Sequence, residues 1–560
     1  MSTDPKMKSE IAHIDNSGSG DLGTGYDHPE KGHRVAHQKE ASTKYADLGA
    51  DWLAEYTGPE IEITEEQSNM VRWKIDSHIV PLICVIYFCQ QLDKSTLSFA
   101  AVFNIQKDAH LVGTEYSWCS SIVYFAQLVF QPLSVYALVK VPVNIWICFC
   151  FFCWGASVSI MSAMRSFAGI AAFRFIMGAF EASIAPSMLI VVSMWWTRRE
   201  QPLRNNIWYS MNGLATILGS LISYGLGHVN NAHLKPYQVI FLVCGLISVG
   251  CSIPISFVFT GHPTRAKWLS DEQKYIALQR IRLNQTGTQS THFKWDQVIE
   301  CFSDPKQWIF GIMVFCISLV SGGIGSFGPL ILKGFGLSTF HTILYNMIPG
   351  AIGIVSNLLT AFVVQKTKRK SPVLFVASLF PLAAAAALYK MPRTGTAENN
   401  RQLLAVYFIL QVYQCITPII FTWAFANTAG HTKKTTTTGV LYIGLTVGNI
   451  VGPQLYKAKQ APRYITGLEA NLAVLCILSG LVLVQTVLLA GLNKRNVNRR
   501  RASGRTGDVV DYSLEASNRW QGLREAQAAK DAAEGHVEEH VTQGLLDLTD
   551  LRNDEFIYSL

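Results

Sequence analysis

Two charged side chains stand inside an apolar run, in the stretch RFIMGAFEASIAP from Arg174 to Pro186. On insertion scales each charge costs roughly 2.5–3.5 kcal/mol at the centre of a membrane helix. The seven-residue spacing places Arg174 and Glu181 on nearly the same helix face, about 10 Å apart along the axis. That separation is too long for an i,i+4 salt bridge, so the spacing disfavours a self-neutralising pair within one helix.

A second pair of charges, Asp93 and Lys94, lies deep in another apolar run that contains QQLDKST. Neighbouring helical residues point about 100° apart, so we expect one to face a transport path and the other a neighbouring helix. Arg174 and Glu181 could instead pair with these two charges. Both interpretations remain open, because paired intramembrane charges commonly belong to the transport path as well.

The apolar runs that carry these charges define the class of protein. Of 560 residues, 49% are hydrophobic and only 15% are charged, whereas soluble domains carry about a quarter charged residues. About twelve segments are long enough to cross a membrane. The sequence therefore predicts an all-α membrane protein with about twelve transmembrane helices in two six-helix halves. The predicted parts are an N-terminal tail (1–70), a first half (71–260), a central loop (261–306), a second half (307–492) and a C-terminal tail (493–560).

Charge and composition indicate the orientation and exclude several functions. Lysine and arginine in the central loop and both tails predict cytoplasmic termini. The net charge of +8 comes from residues at membrane borders, which favours anionic lipid over nucleic acid as the partner. The twelve cysteines lie almost entirely in apolar runs and are expected to pack as small hydrophobes. No phosphate-binding loop, metal-ligand spacing or nucleophile elbow is visible, so the sequence predicts neither an enzyme nor a metal site.

Six spans, a loop and six spans are typical of the major facilitator architecture, in which the site lies at mid-membrane between two rocking halves. Spans 1, 4, 7 and 10 are then expected to line it. Span 10 offers Gln411 among its polar residues. The predicted substrate contacts are Lys94, Arg174, Gln127, Gln414, Trp423 and Asn427.

Two glycine-rich stretches have separate predicted roles. Span 7 contains SGGIGSFGP, which predicts a broken helix that binds substrate or ions, or equally a bend that lets a gate flex. The residues in question are Gly322, Gly323, Gly325, Gly328 and Pro329. In span 11, Gly444, Gly448 and Gly452 recur at four-residue spacing and predict close helix packing.

Several motifs resemble the anion:cation symporter family of the major facilitators. They include RxxxGxxE in span 4, LDKSTLSFAA in span 1 and FGPLILKGFG after span 7. The run FTWAFANTAGHTKKTTTTGVLYIGLTVGNIVGPQLY and the end DLTDLRNDEFIYSL are similar to the fungal allantoate permease branch. The resemblance covers roughly residues 70–490 and the last dozen.

This resemblance implies proton-coupled uptake of a small organic anion across the plasma membrane, with no cofactor besides the proton, by a monomer. In related carriers the span-4 arginine binds the anion and the glutamate seven residues later couples protons. Those roles fall on Arg174 and Glu181, with Lys94 as the span-1 cation and Asp93 as a second proton-coupling candidate. Allantoate or a related ureido acid is the expected cargo. The alternatives are ureidosuccinate, nicotinate, pantothenate, another vitamin, a short peptide, or a nutrient sensor that does not transport.

Overall fold

The structure is a computed structural model of the chain. It describes residues 52, 56, 64–196, 200–229, 234–282, 294–502, 549–553 and 556–560. Most of the N-terminal tail expected over residues 1–70, and most of the tail expected after residue 493, therefore lie outside the described residues. The described elements are all helical.

The helices before the central loop form six spans. Each is built from a long apolar segment, and three of the segments contain an interruption or a following short turn. They are α1 (Glu65–Val102) with the short α2 (Ile105–Asp108), α3 (Glu115–Lys140), α4 (Val143–Met161), α5 and α6 (Phe167–Glu181 and Ile184–Trp195), α7 and α8 (Gln201–Tyr209 and Met211–Gly227), and α9 (Pro236–Val258).

The central loop contributes two helices, and six further spans follow. The loop helices are α10 (Asp271–Arg282) and α11 (Trp295–Ser303). The spans are α12 (Pro305–Lys333), α13 and α14 (Thr339–Tyr345 and Met347–Thr367), α15 (Ser371–Lys390), α16 and α17 (Ala397–Leu410 and Ile416–Ala426), α18 (His431–Gln454), and α19 (Ile465–Ala502). A 3-10 turn, Gln411–Cys415, joins α16 to α17.

Ten helical segments among the described residues are long and apolar enough to cross a membrane. Two of the twelve expected spans, those that contain α8 and α18, do not meet this criterion of length and hydropathy. The interruption at Ser210 leaves α8 only 17 residues, and α18 begins with the polar sequence HTKKTTTT. Both occupy the expected places of the fifth and eleventh spans in the chain order.

Contacts between the two halves close one end of the bundle. We call the end that carries α10 and α11 the loop side, and the other the far side. Near the far side, the Tyr116 hydroxyl donates to the Ser326 carbonyl (2.8 Å) and Lys333 Nζ donates to the Val102 carbonyl (2.8 Å). The Phe103 and Phe340 rings meet edge to face there. These contacts close the far side above a cavity at mid-bundle.

Candidate functional site

A cavity of about 190 Å³ lies between the halves, bordered by the middle parts of seven spans. Polar and charged side chains make up much of its wall. They include Gln91, Lys94 and Ser95 on α1, Tyr124 on α3, Arg174 on α5, Tyr209, Asn212 and Thr216 on the fifth span, Ser321 on α12, Asn346 before α14, and Gln411, Gln414 and Thr417 in span 10. A cavity of this size and polarity suits a small polar molecule.

Arg174 is the most informative residue of this wall. Its side chain is 2% exposed, and neither Nε nor Nη2 has a hydrogen-bond partner among the described residues. A buried guanidinium is normally paired, because an unpaired buried charge is strongly destabilising. The unused donors therefore indicate an anionic ligand, since charge-assisted bonds from arginine to a carboxylate are among the strongest hydrogen bonds in proteins.

Lys94 supplies a second positive charge to the same cavity. Its Nζ lies 4.4 Å from the centroid of the Tyr124 ring, a cation–π contact. Within the described part of the chain, neither Lys94 nor Arg174 forms an ion pair, so the alternative that they only pair with charges on other helices receives no support. Two cations without a carboxylate partner make this cavity electropositive.

Glu181 lies behind the cavity wall rather than on it. Its side chain is buried, and Oε2 accepts a hydrogen bond from Gln127 Nε2 at 2.9 Å. The other oxygen, Oε1, has no partner among the described residues. Lys94 and Arg174 both act on Glu181 electrostatically. Gln127, predicted to contact the substrate, therefore holds the carboxylate of Glu181 instead.

The helix of the fourth span is interrupted directly after Glu181. Helix α5 ends at Glu181 and α6 begins at Ile184. Pro186 has no amide N–H to bond with the carbonyl of Ala182, which removes the hydrogen bond that would continue the helix. The Ser183 hydroxyl is held by Trp146 Nε1 at 2.9 Å. This break was not predicted from the sequence, although Pro186 is a signal for it.

Asp93 and Lys94 point in different directions, as the sequence predicts. The Asp93 carboxylate accepts hydrogen bonds from Trp154 Nε1 (2.9 Å) and the Ser248 hydroxyl (2.5 Å). It is fully buried between α1, α4 and α9 and is absent from the cavity wall. These contacts support helix packing, and they do not place Asp93 where it could exchange a proton with the cavity directly.

Two of the predicted substrate contacts in span 10 lie elsewhere. Gln414 borders the cavity and donates to the Pro349 carbonyl at 3.0 Å. Trp423 Nε1 and Asn427 Nδ2 instead donate to the carbonyl of Ser559, at 2.8 and 3.0 Å. Both are fully buried at the loop side of the bundle. The prediction that Trp423 and Asn427 bind the substrate is wrong, because the chain end occupies them.

The glycine-rich stretch of span 7 does not break its helix. Gly322, Gly323, Gly325, Gly328 and Pro329 all lie within the continuous α12, so the predicted interruption is wrong. A Cβ on Gly322 would lie 2.9 Å from Asn449 Cα, and on Gly323 2.5 Å from the Tyr456 ring. These glycines allow close packing, and Gly325 and Pro329 also border the cavity.

The glycines of span 11 pack as the spacing predicts. A Cβ added to Gly444, Gly448 or Gly452 would meet the carbonyl oxygens of Gly311, Phe315 and Leu319 at 2.4–2.6 Å. Helices α12 and α18 therefore approach backbone to backbone, which small residues at four-residue spacing permit.

Several cavity residues were not among the predicted contacts. Tyr124, Tyr209 and Asn212 border the cavity from spans 2 and 5, where Gln127 of span 2 was the single polar residue predicted as a contact. A polar residue inside an apolar span was the available signal. The described residues contain no cluster of histidine, cysteine or acidic side chains that could hold a metal ion.

The chain matches the family model described as Major Facilitator Superfamily over residues 83–453. Uncharacterized transporter C757.13 of Schizosaccharomyces pombe is 35% identical over 434 residues, 77% of this chain and 82% of that protein. Allantoate permease of Saccharomyces cerevisiae is 29% identical over 518 residues, 90% of this chain and 88% of that protein. Among solved structures, a bacterial homologue of the human lysosomal transporter Spinster, inward-facing and unoccupied, has a TM-score of 0.56 at 15% identity, covering 76% of this chain and 98% of that one.

Proposed function

Since the chain belongs to the Major Facilitator Superfamily, we propose that it is a symporter that imports a small organic anion together with protons. The observation that carries this proposal is the buried Arg174 in the cavity wall, with two unused donors. A carboxylate that binds there exchanges its hydration shell for charge-assisted hydrogen bonds. Lys94 adds a point charge that attracts the same group.

The expected cargo is allantoate or a related ureido acid. One pole of the cavity carries the two cations, and the rest of the wall offers neutral groups that donate and accept hydrogen bonds, such as Asn212, Gln411 and Gln414. Such a wall suits a carboxylate that also carries amide or ureido groups. The 29% identity to an allantoate permease supports this choice. Nicotinate, pantothenate and a short peptide remain rival cargoes on the same mechanism.

Proton coupling is assigned to Glu181. When the cavity is empty, Lys94 and Arg174 act on Glu181 electrostatically and favour its ionised form. A bound anion neutralises these cations, and a buried carboxylate without a counter-charge is costly. Taking up a proton removes that cost. The anion and the proton then cross together, which is symport.

The conformational cycle follows from where the halves touch. Contacts such as Tyr116–Ser326 close the far side, and we propose that the cavity opens toward the loop side in this state. Alternating access requires these contacts to break while others form at the opposite end. We assign the loop side and both termini to the cytoplasm, in line with the distribution of lysine and arginine. We assign the protein to the plasma membrane.

One experiment identifies the cargo and tests the coupling. Permease-deficient yeast that expresses the chain is grown on allantoate and the rival compounds as sole nitrogen source, and the purified protein is then reconstituted in liposomes. An imposed inward proton gradient should drive accumulation of the cargo, and collapse of the gradient should abolish it. Accumulation that does not depend on the proton gradient contradicts the symport mechanism. Growth on none of the compounds, despite protein at the surface, contradicts the anion assignment and favours a sensor.

A further inference from the structure

The end of the chain lies in a groove at the loop side of the second half. We call residues 549–553 and 556–560 the terminal clasp. Its backbone carbonyls accept hydrogen bonds from several elements. The Ser559 carbonyl binds Trp423 and Asn427 of span 10, and Asn493 of α19 bonds both the amide and the carbonyl of Tyr558, each at 2.8 Å. The Leu560 carbonyl accepts from the Lys370 amide at 2.7 Å. Main-chain bonds of this kind are how proteins recognise an extended peptide.

A buried ion cluster anchors the clasp. Lys306 at the start of α12 and Lys433 at the start of α18 are both 0% exposed. Asp550 of the clasp pairs with each of them, with Lys433 Nζ at 3.0 Å from its Oδ1. The Tyr558 hydroxyl donates to Asp550 Oδ2 at 3.0 Å. The clasp therefore inserts a carboxylate between two buried lysines, which a segment held only by surface contacts would not do.

The groove keeps partners for its charges when the clasp is absent. Lys306 also pairs with Asp304 at 2.5 Å, and Lys433 pairs with Asp304 and with Glu300 of α11, each at 2.9 Å. Removal of the clasp thus leaves no lysine without a carboxylate. This is the property of a ligand-binding groove rather than of a core that collapses when one segment leaves.

The clasp also contacts the central loop. Arg552 pairs with Asp296 (2.9 Å) and Glu300 (3.2 Å) on α11. The same helix buries Cys301, whose Sγ lies 3.5 Å from the hydroxyl of Thr437 on α18. The loop helix, α12, span 10, α18 and α19 therefore meet at one place, under the clasp.

We propose that the terminal clasp is a detachable intramolecular ligand that locks α11 and the loop-side ends of spans 7, 10, 11 and 12 into one unit. Docked, it keeps water from Lys306 and Lys433 and holds α11 on α18. Released, it opens the groove between α11 and α18. A protein that binds the released clasp, or a covalent modification of the clasp, would therefore change the loop-side surface of the second half without contacting the cavity.

Cys301 provides a readout that does not depend on the substrate. Its side chain is fully buried on the helix that Arg552 of the clasp contacts, and burial raises the pKa of its thiol, so it should react slowly with a maleimide. A protease site is inserted after Gly507 in the full-length protein, which is purified, cleaved after folding and passed over a sizing column. Labelling of Cys301 is followed by peptide mass spectrometry, with Cys316, buried within α12, as the internal reference.

The cleaved wild-type clasp should stay bound, and Cys301 should remain protected. With Asp550→Asn the fragment should separate, and Cys301 should label several-fold faster while Cys316 stays unlabelled. Arg552→Ala is the matched control, because the Arg552 side chain is half-exposed and its ion pairs should contribute less than the buried pairs of Asp550, and it should retain the fragment. A synthetic peptide of residues 545–560 should restore protection of Cys301 in the cleaved Asp550→Asn protein, and the same peptide carrying Asp550→Asn should not.

Three results would overturn the proposal. The wild-type fragment could leave as soon as the chain is cut, which means that its contacts do not hold it. Asp550→Asn could retain the fragment and the slow labelling of Cys301, which means that the ion cluster does not anchor the clasp. Cys316 could label in parallel with Cys301, which means that loss of the clasp unfolds the half rather than opening a groove.

Discussion

Replacement of Arg174 by alanine separates a substrate-binding arginine from a structural one. The side chain presents two donors without a partner in the cavity wall. Each charge-assisted hydrogen bond to a carboxylate contributes about 1.5–3 kcal/mol. Two such bonds, taken at the low end because they are not additive, give about 3 kcal/mol. This corresponds to roughly 100-fold weaker binding.

The same substitution should not weaken the fold. Arg174 is 2% exposed and forms no ion pair among the described residues, so alanine removes a buried charge without breaking one, while Lys94 remains as a cation that acts on Glu181. The melting temperature of the ligand-free protein should therefore stay the same or rise. Binding of labelled allantoate to the purified protein, measured beside the melting temperature, tests both expectations. Arg174→Lys is the control: it keeps the charge but loses the two-donor fork, so its affinity should fall between the other two.

Two outcomes contradict this reasoning. If Arg174→Ala binds allantoate within about threefold of the wild type, the unused donors are not the anion site. If the variant loses its fold in proportion to its loss of binding, Arg174 holds helices together through a partner and its role is structural. If the growth test identifies a rival carboxylate as the cargo, that compound replaces allantoate in the binding assay, and the same two outcomes apply.

Three further predictions concern other parts of the molecule. Glu181→Gln keeps the size of the side chain and mimics its protonated form, so counterflow of labelled cargo should persist while uphill accumulation fails; accumulation at normal surface level contradicts the coupling role. Gly448→Val should lower stability by about 1–3 kcal/mol, because a Cβ there meets the Phe315 carbonyl at 2.6 Å, whereas Gly439→Val on the same helix has open space and should be neutral; equal melting temperatures contradict this packing. Burial would raise the pKa of Asp550, but Lys306 and Lys433 hold this pKa below the usual 3.8. The ionised carboxylate therefore stabilises the docked clasp fully above about pH 4. This stabilisation is lost only as the pH falls through the lower pKa of the docked state. Retention of the cleaved clasp should thus be constant between about pH 5 and pH 8, and a loss of the fragment in that range contradicts the assignment.

The membrane domain and its charged positions could be predicted because both depend on local sequence. Hydropathy marks the spans, and a charge inside an apolar run is costly enough to require a use. The separation of Asp93 from Lys94 follows from helical geometry alone. The seam of Gly444, Gly448 and Gly452 follows from spacing, since small residues on one face permit close approach of two helices.

The errors arose where a local signal had two physical outcomes. Glycine and proline weaken a helix in water, and this favoured a break at Gly322–Pro329. Inside a membrane the backbone has no water to bond with, so the helix persists and its glycines serve packing against Asn449 and Tyr456. Trp423 and Asn427 belong to a cavity-lining span, yet they contact Ser559, 136 and 132 residues away in the sequence. No local pattern records such a pairing.

The two charges of the fourth span illustrate what spacing leaves undetermined. Seven residues place Arg174 and Glu181 on one face, but only Arg174 borders the cavity, while Glu181 sits behind it with Gln127. An anion can therefore bind Arg174 without displacing the hydrogen bond that holds Glu181. In the proposed mechanism the two sites communicate through charge, which acts across this distance in a buried environment. The helix ends directly after Glu181, so a change in its charge acts at the point where the span is least constrained by its own hydrogen bonds.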